Sequence, residues 1–198
     1  STIMFKPNLE FKRIIRKDLK VSDECLLLGN ISRYHPIKDH ENLFRSLLFL
    51  KKFKIDFKCL LIGKGLSINN ENLVLQIKKF NLSDNIILFG ESKEINKLIN
   101  SLDLHILSSR KEAFPMVLLE SMSSGVPCLS TNVGDAKAIV GATGWIVSVS
   151  DPFSMASTII DIAKERSNLK NYASLARQRI LNYYSLEKMI ESYKKLHK

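Results

Sequence analysis

Short apolar runs alternate with helical patterns along the whole sequence, and that alternation restricts the possible folds more tightly than any other feature. The runs Cys25–Leu28, Lys58–Ile62, Asn85–Phe89, Leu104–Leu107, Pro127–Ser130 and Gly144–Val147 read as strands. Each is short and most lack polar alternation, as expected of strands buried on both faces. Between them, His40–Phe53 carries Leu43, Leu47, Leu48 and Leu50, and Asn70–Phe80 carries Leu73, Val74, Ile77 and Phe80, both at helical spacing. Glu94–Ser101 and Val117–Ser124 read as shorter helices. From Asp151 the chain reads as three helices with Asp151, Asn168 and Ser185 as caps. The strict alternation predicts an α/β fold, a Rossmann-like parallel sheet of about six strands with helices on both faces. Residues 1–198 form one domain in this reading, since neither an internal repeat nor a low-complexity linker divides them.

Composition narrows the function classes. The hydrophobic content of 45% suits a chain with a real core, and no run of about 18 apolar residues is present to span a bilayer. The net charge of +10 is weighted toward the N-terminal third, in the run FKRIIRKDLK. A solvated helix face accounts for that run, and so does attraction to an anionic substrate, a membrane surface or nucleic acid. Nucleic acid is the weakest of these, because no zinc-knuckle spacing and no basic–aromatic interleaving appears. Cys25, Cys59 and Cys128 sit in or beside apolar runs and form no C-x-x-C pair, so they read as buried free thiols in a reducing compartment. The four histidines show no H-x-x-x-H spacing, and no metal site is expected.

In open α/β sheets ligands bind at the carboxyl ends of the strands, which directs attention to four loops. The first, GNISRYHPIKDHENL, places Arg33 and Lys38 between a strand and a helix. A guanidinium fork and an ammonium suit a diphosphate, although two ordinary surface cations read the same way. The second, LLIGKGLSI, carries Gly63 and Gly65, where backbone can approach a ligand or simply turn. It is not a G-x-G-x-x-G fingerprint, since position 68 is Ile. The third, KEAFPMVLLESMSSG, sets Glu112 before a helix and Glu120 about one turn inside it, among apolar neighbours. The free amides at such a helix start make an anion site. Pro115 has no N–H, so the donors are Phe114, Met116 and Val117. A first-turn acid favoured by the helix dipole is the plainer account of either Glu. The fourth, STNVGDAKAIV, offers Thr131, Asn132 and Gly134, where a ligand could lie against backbone or a turn could cap the helix at Ala136.

Taken in order, RYHPIK, EAFPMVLLE, SGVPCLS, NVGDAKAIV and TGWIVSVSDP resemble the C-terminal, nucleotide-sugar-binding half of GT-B glycosyltransferases, specifically glycosyltransferase family 4. Each motif alone is common; the ordered series from Phe5 to Ile160 carries the resemblance. It implies that Arg33 and Lys38 contact a donor diphosphate, that Glu112 with the following amides holds the donor sugar, and that Glu120 holds the ribose hydroxyls. Gly63, Phe114, Met116 and Val117 complete the implied donor site, with Arg33, Lys38 and Glu112 as its catalytic members. Carboxylates accept from hydroxyls and cations suit phosphates, so these roles are chemically consistent. The sequence departs from the family pattern at Ala113, Ser32 and Lys64, which leaves the donor sugar less defined.

The resemblance further implies a retaining transfer that needs no metal or other cofactor. It implies a UDP-linked hexose or N-acetylhexosamine as donor. The acceptor would be a saccharide or lipid-linked chain of bacterial O-antigen or lipopolysaccharide synthesis. Acceptor binding would lie in a separate N-terminal domain absent from these residues, to which the final helix, Leu186–Leu196, would cross back. The expected location is the cytoplasm, with peripheral association at the inner face of the cell membrane. A nucleotide-sugar epimerase, a nucleotide-binding module without catalysis, a glycoside hydrolase using the two acids, and a basic adaptor for nucleic acid or membranes are the alternatives.

Overall fold

The computed structural model describes residues 2–196. Along the chain come α1 (Leu9–Asp18), β1 (Leu26–Ile31), α2 (His40–Lys52), β2 (Phe57–Ile62), α3 (Glu71–Lys79) and β3 (Ile86–Gly90). They are followed by α4 (Ile95–Ser101), β4 (Leu104–Leu107), α5 (Met116–Ser123), β5 (Cys128–Thr131), α6 (Ala136–Val140) and β6 (Trp145–Val147). Three helices close the described chain: α7 (Pro152–Lys164), α8 (Leu169–Tyr183) and α9 (Leu186–Leu196). Asp151 caps α7 by accepting from Ser154 N at 2.9 Å, and Ser185 Oγ accepts from Lys188 N at 3.3 Å. Asn168 precedes α8 but makes no side-chain cap.

The strands form one six-stranded parallel sheet in the order β3-β2-β1-β4-β5-β6. Strand residues alternate between two buried faces. Leu26, Leu28, Leu61 and Leu104 pack with α2 and α7 residues such as Leu47 and Ile159, whereas Leu27, Leu60 and Ile62 pack with Leu98 and Ile99 of α4. The expected doubly covered α/β sheet is therefore present. Chain order reverses between β1 and β4, and in such sheets the crevice opens where the loops after those two strands diverge.

β1 runs past the expected Leu28 to Ile31. Gly29 permits this: a Cβ there would lie 2.3 Å from Leu102 Cδ1, so only a bare backbone fits beneath that leucine. Asn30 continues the join, its Nδ2 donating to Ile106 O of β4 at 2.9 Å.

The basic run in α1 is only partly a solvated face. Arg13 and Lys17 are exposed, but Arg16 is 2% exposed and turns inward to Asp103 at the foot of β4. Asp103 accepts from Lys12 Nζ at 2.8 Å, Arg16 Nη1 at 3.1 Å, Arg166 Nη2 at 2.9 Å and Leu27 N at 2.9 Å. Burial alone would raise its carboxyl pKa, but Lys12 and the other donors outweigh that and hold it low. Part of the positive charge is thus spent on one buried carboxylate at the N-terminal edge of the sheet. Among the described residues no helix is long and apolar enough to cross a membrane.

Candidate functional site at the β1/β4 crevice

The loop after β1 is stitched to its neighbours before any side chain is considered. Ser32 N donates to Ile62 O at 3.0 Å, and Tyr34 N donates to Lys64 O at 2.7 Å. Gly63 belongs to this seam: with φ 135 its missing Cβ would stand 2.1 Å from Ser32 O. The glycine admits the adjacent loop, in keeping with the tight turn that the sequence also allowed there. Ser32 Oγ donates to Asn30 Oδ1 at 2.9 Å, leaving its oxygen to accept from His40 Nε2, 3.1 Å away. Burial holds His40 neutral, its pKa pushed down to about 4.

A short 3-10 turn, Pro36–Lys38, then delivers Lys38 to the crevice. Its backbone is held from β4, since Ser108 Oγ donates to Lys38 O at 2.8 Å and Arg110 N donates to Ile37 O at 2.8 Å. Lys38 Nζ meets Glu112 Oε1 at 2.6 Å, both side chains being less than one-fifth exposed. The same carboxylate oxygen accepts from Ser109 Oγ at 2.7 Å. Residues from opposite sides of the switch point, one after β1 and one after β4, are thereby in direct contact. Asp39 follows in the left-handed region at φ 50 and starts α2.

The loop after β5 supports Glu112 from behind. Asp135 N donates to Ala113 O at 3.0 Å, and Thr131 Oγ1 donates to Ser109 O at 2.7 Å. Gly134, at φ 46, would place a Cβ 2.2 Å from Ala113 O and 2.5 Å from Glu112 O. This glycine too serves loop-on-loop packing, just before the helix at Ala136. α5 begins at Met116, one residue before the expected Val117, with Pro115 as an N-cap that supplies no side-chain bond. The amides of Phe114, Met116 and Val117 enter none of the loop or capping hydrogen bonds among the described residues. Such a start carries partial positive charge beside Glu112.

Arg33 is exposed and enters no ion pair or side-chain hydrogen bond among the described residues. Phe114 and Met116 are exposed at the lip of the crevice, and Val117 is half-buried. Glu120 makes no ion pair or side-chain hydrogen bond with Arg33, Lys38 or Glu112 among the described residues. It lines an adjoining groove of about 320 Å³ with Thr2, Phe5, Met116, Leu119 and Tyr184, and burial there raises its pKa. Met116 links that groove to the helix start.

The sequence reading passed over Ser108, Ser109, Arg110 and Asp39. Their signals were present: a polar S-S-R directly after the apolar strand LHIL, and an Asp immediately before a helix.

A family model described as glycosyl transferases group 1 matches residues 11–179. The chain belongs to that group. Within it, the chain is 27% identical over 186 residues to the N-acetyl-alpha-D-glucosaminyl L-malate synthase of Bacillus anthracis, covering 92% of this chain and 48% of that protein. It is 25% identical over 191 residues to the lipopolysaccharide 1,2-N-acetylglucosaminetransferase of Salmonella typhimurium, covering 90% of this chain and 50% of that one. The crystal structure of Anabaena Alr3699/HepE in complex with UDP and glucose superposes with a TM-score of 0.87 at 20% identity, over 99% of this chain and 54% of that one. The fold is that of one half of a GT-B glycosyltransferase, and this group 1 chain spans about half the length of the relatives it matches.

Proposed function

We propose that this chain is the donor-binding half of a retaining family 4 glycosyltransferase. It takes a hexose or N-acetylhexosamine from a nucleoside diphosphate sugar, with UDP as the favoured nucleotide. The observation that carries this reading is the Lys38–Glu112 contact at 2.6 Å across the crevice, flanked by the uncapped start of α5. A cation, an acid and a row of amides brought together offer the chemistry that a diphosphate with a sugar attached calls for, which supports the reading. Two relatives named for N-acetylglucosamine chemistry support the donor class, and the lipopolysaccharide enzyme supports a surface-polysaccharide pathway. The HepE structure, a complex with UDP and glucose, supports the choice of UDP.

In this mechanism Arg33, Lys38 and the α5 amides stabilise negative charge as it develops on the departing diphosphate. These cations take the part that a divalent ion plays elsewhere, so no metal is required. Glu112 accepts from sugar hydroxyls and Glu120 from the ribose. Acceptor binding belongs to a separate domain, so these 198 residues alone transfer little or no sugar. The full enzyme would work at the cytoplasmic face of the membrane, where a lipid-linked acceptor is presented.

Titration calorimetry of UDP, GDP and ADP and their hexose forms against this chain tests the reading. One nucleotide should bind measurably, and Glu120→Ala should weaken it with and without the sugar. Failure of every nucleotide to bind, or unchanged affinity in Glu120→Ala, contradicts it.

A further inference from the structure

We propose that the Lys38–Glu112 ion pair lets the site discriminate the intact sugar donor from the spent nucleoside diphosphate, and so hastens product release. The inference rests on the donor-site reading above and concerns what happens to Glu112 when its lysine is taken.

In the empty site the two charges neutralise each other at 2.6 Å, with side chains 19% and 15% exposed. Neither can drift far. Lys38 is pinned through its carbonyl by Ser108 and through the loop by the Arg110 amide, while Glu112 is held by Ser109 Oγ and backed by Gly134. A phosphate that claims the ammonium therefore takes it from a specific, poorly hydrated carboxylate. That carboxylate keeps one donor, Ser109, and gains an anion as a neighbour.

The two ligands differ in what they give back. An intact donor brings sugar hydroxyls, which can donate to Glu112 and replace the lost N–H. A bare nucleoside diphosphate brings further negative charge and no such donor, so repulsion and an under-solvated carboxylate remain. The ion pair is thus exchanged when substrate enters and must re-form when product leaves. A staple that only holds two loops together would cost fold stability when cut but would not change ligand preference.

Calorimetry with UDP and UDP-N-acetylglucosamine on the 198-residue chain separates the two accounts, with GDP or ADP pairs substituted if those nucleotides bind more tightly. Glu112→Gln keeps the shape and the Ser109 bond but removes the charge. It should bind UDP about fivefold more tightly than wild type, the size expected for a partly screened ion pair. It should bind the sugar form no better, so the preference for intact donor shrinks. In a Lys38→Met background the same change should produce a smaller gain, because no ion pair is left to be broken and only the repulsion is relieved. Glu112→Ala serves as a second variant and should move UDP affinity in the same direction. Unchanged or weakened UDP binding in folded Glu112→Gln and Glu112→Ala, with wild type binding normally, overturns the inference alone. Wild type binding neither ligand overturns the donor reading as well.

Discussion

Arg110 grips Asp39 with two nitrogens, Nε at 2.7 Å from Oδ2 and Nη2 at 3.1 Å from Oδ1, although the two residues lie after different strands. The carboxylate is 2% exposed and the guanidinium 57%. Ser150 Oγ adds a third bond at 3.0 Å, and Asp39 Oδ1 accepts from Asn42 N at 3.3 Å to cap α2. This knot fixes the residue directly after Lys38 in a left-handed conformation.

Removing the guanidinium should therefore cost stability without removing any proposed ligand contact. Arg110→Met is expected to lower the urea midpoint, by less than a buried ion pair would because the guanidinium is exposed to solvent. Asp39→Gly should be milder than Asp39→Ala by about 1 kcal/mol, because glycine accepts φ 50 without strain. Equal losses for the two would show that the backbone there is unstrained.

Gly134→Ala should damage the crevice more than its backbone cost alone. A left-handed alanine costs about 1–3 kcal/mol. Here the new methyl must also displace Glu112 O or Ala113 O, at 2.5 and 2.2 Å. Nucleotide-sugar affinity is expected to fall along with stability. Gly125→Ala, at φ 72 and facing Pro7 Cγ at 3.1 Å, is the control that should lose stability and keep affinity. A Gly134→Ala chain that binds like wild type would refute the loop-on-loop account.

Most of the sheet was readable from the sequence because the central strands β1, β2, β4 and β5 are almost wholly buried apolar runs bounded by polar turns. β1 was cut short since Gly29 and Asn30 look like loop residues; the close approach of Leu102 accounts for the first and the bond to Ile106 O for the second. Lys38 and Glu112 could each be singled out by type and position, but their contact could not, because it depends on how two loops 74 residues apart are laid together. Gly63 and Gly134 were legible as special positions while their partners were not, for the same reason. The inward turn of Arg16 was hidden because its charge is indistinguishable in the sequence from those of Arg13 and Lys17 on the solvated face of the same helix.

Stability should fall below neutral pH. His40 and His105 are buried and neutral, with pKa values pushed by burial from 6.5 down to about 4 and about 3. The unfolded chain thus binds more protons once the pH drops below the unfolded value, and folding weakens progressively toward pH 4 by up to about 1.4 kcal/mol per pH unit for each histidine. Melting temperatures at pH 7.5, 6 and 5 should descend in that order. His105→Leu should flatten the slope, and an unaltered slope in that variant would remove His105 from the account.

Asp103→Asn should be among the most damaging single changes at the opposite edge. It leaves Arg16, 2% exposed, without its carboxylate, and a broken buried pair costs about 3 kcal/mol. Nucleotide affinity of the fraction that stays folded should match wild type. A loss of affinity there would mean that the two edges of the sheet are coupled.

That cluster has a wider consequence. One carboxylate fastens the first helix through Lys12 and Arg16, the neighbouring strand through the amide of Leu27, and the turn between α7 and α8 through Arg166. That anchor stands at the opposite rim of the sheet from Lys38 and Glu112. Crevice-loop positions that make no cross-loop bond, Arg33 among them, can then vary without touching it, a separation that leaves such a scaffold free to diversify.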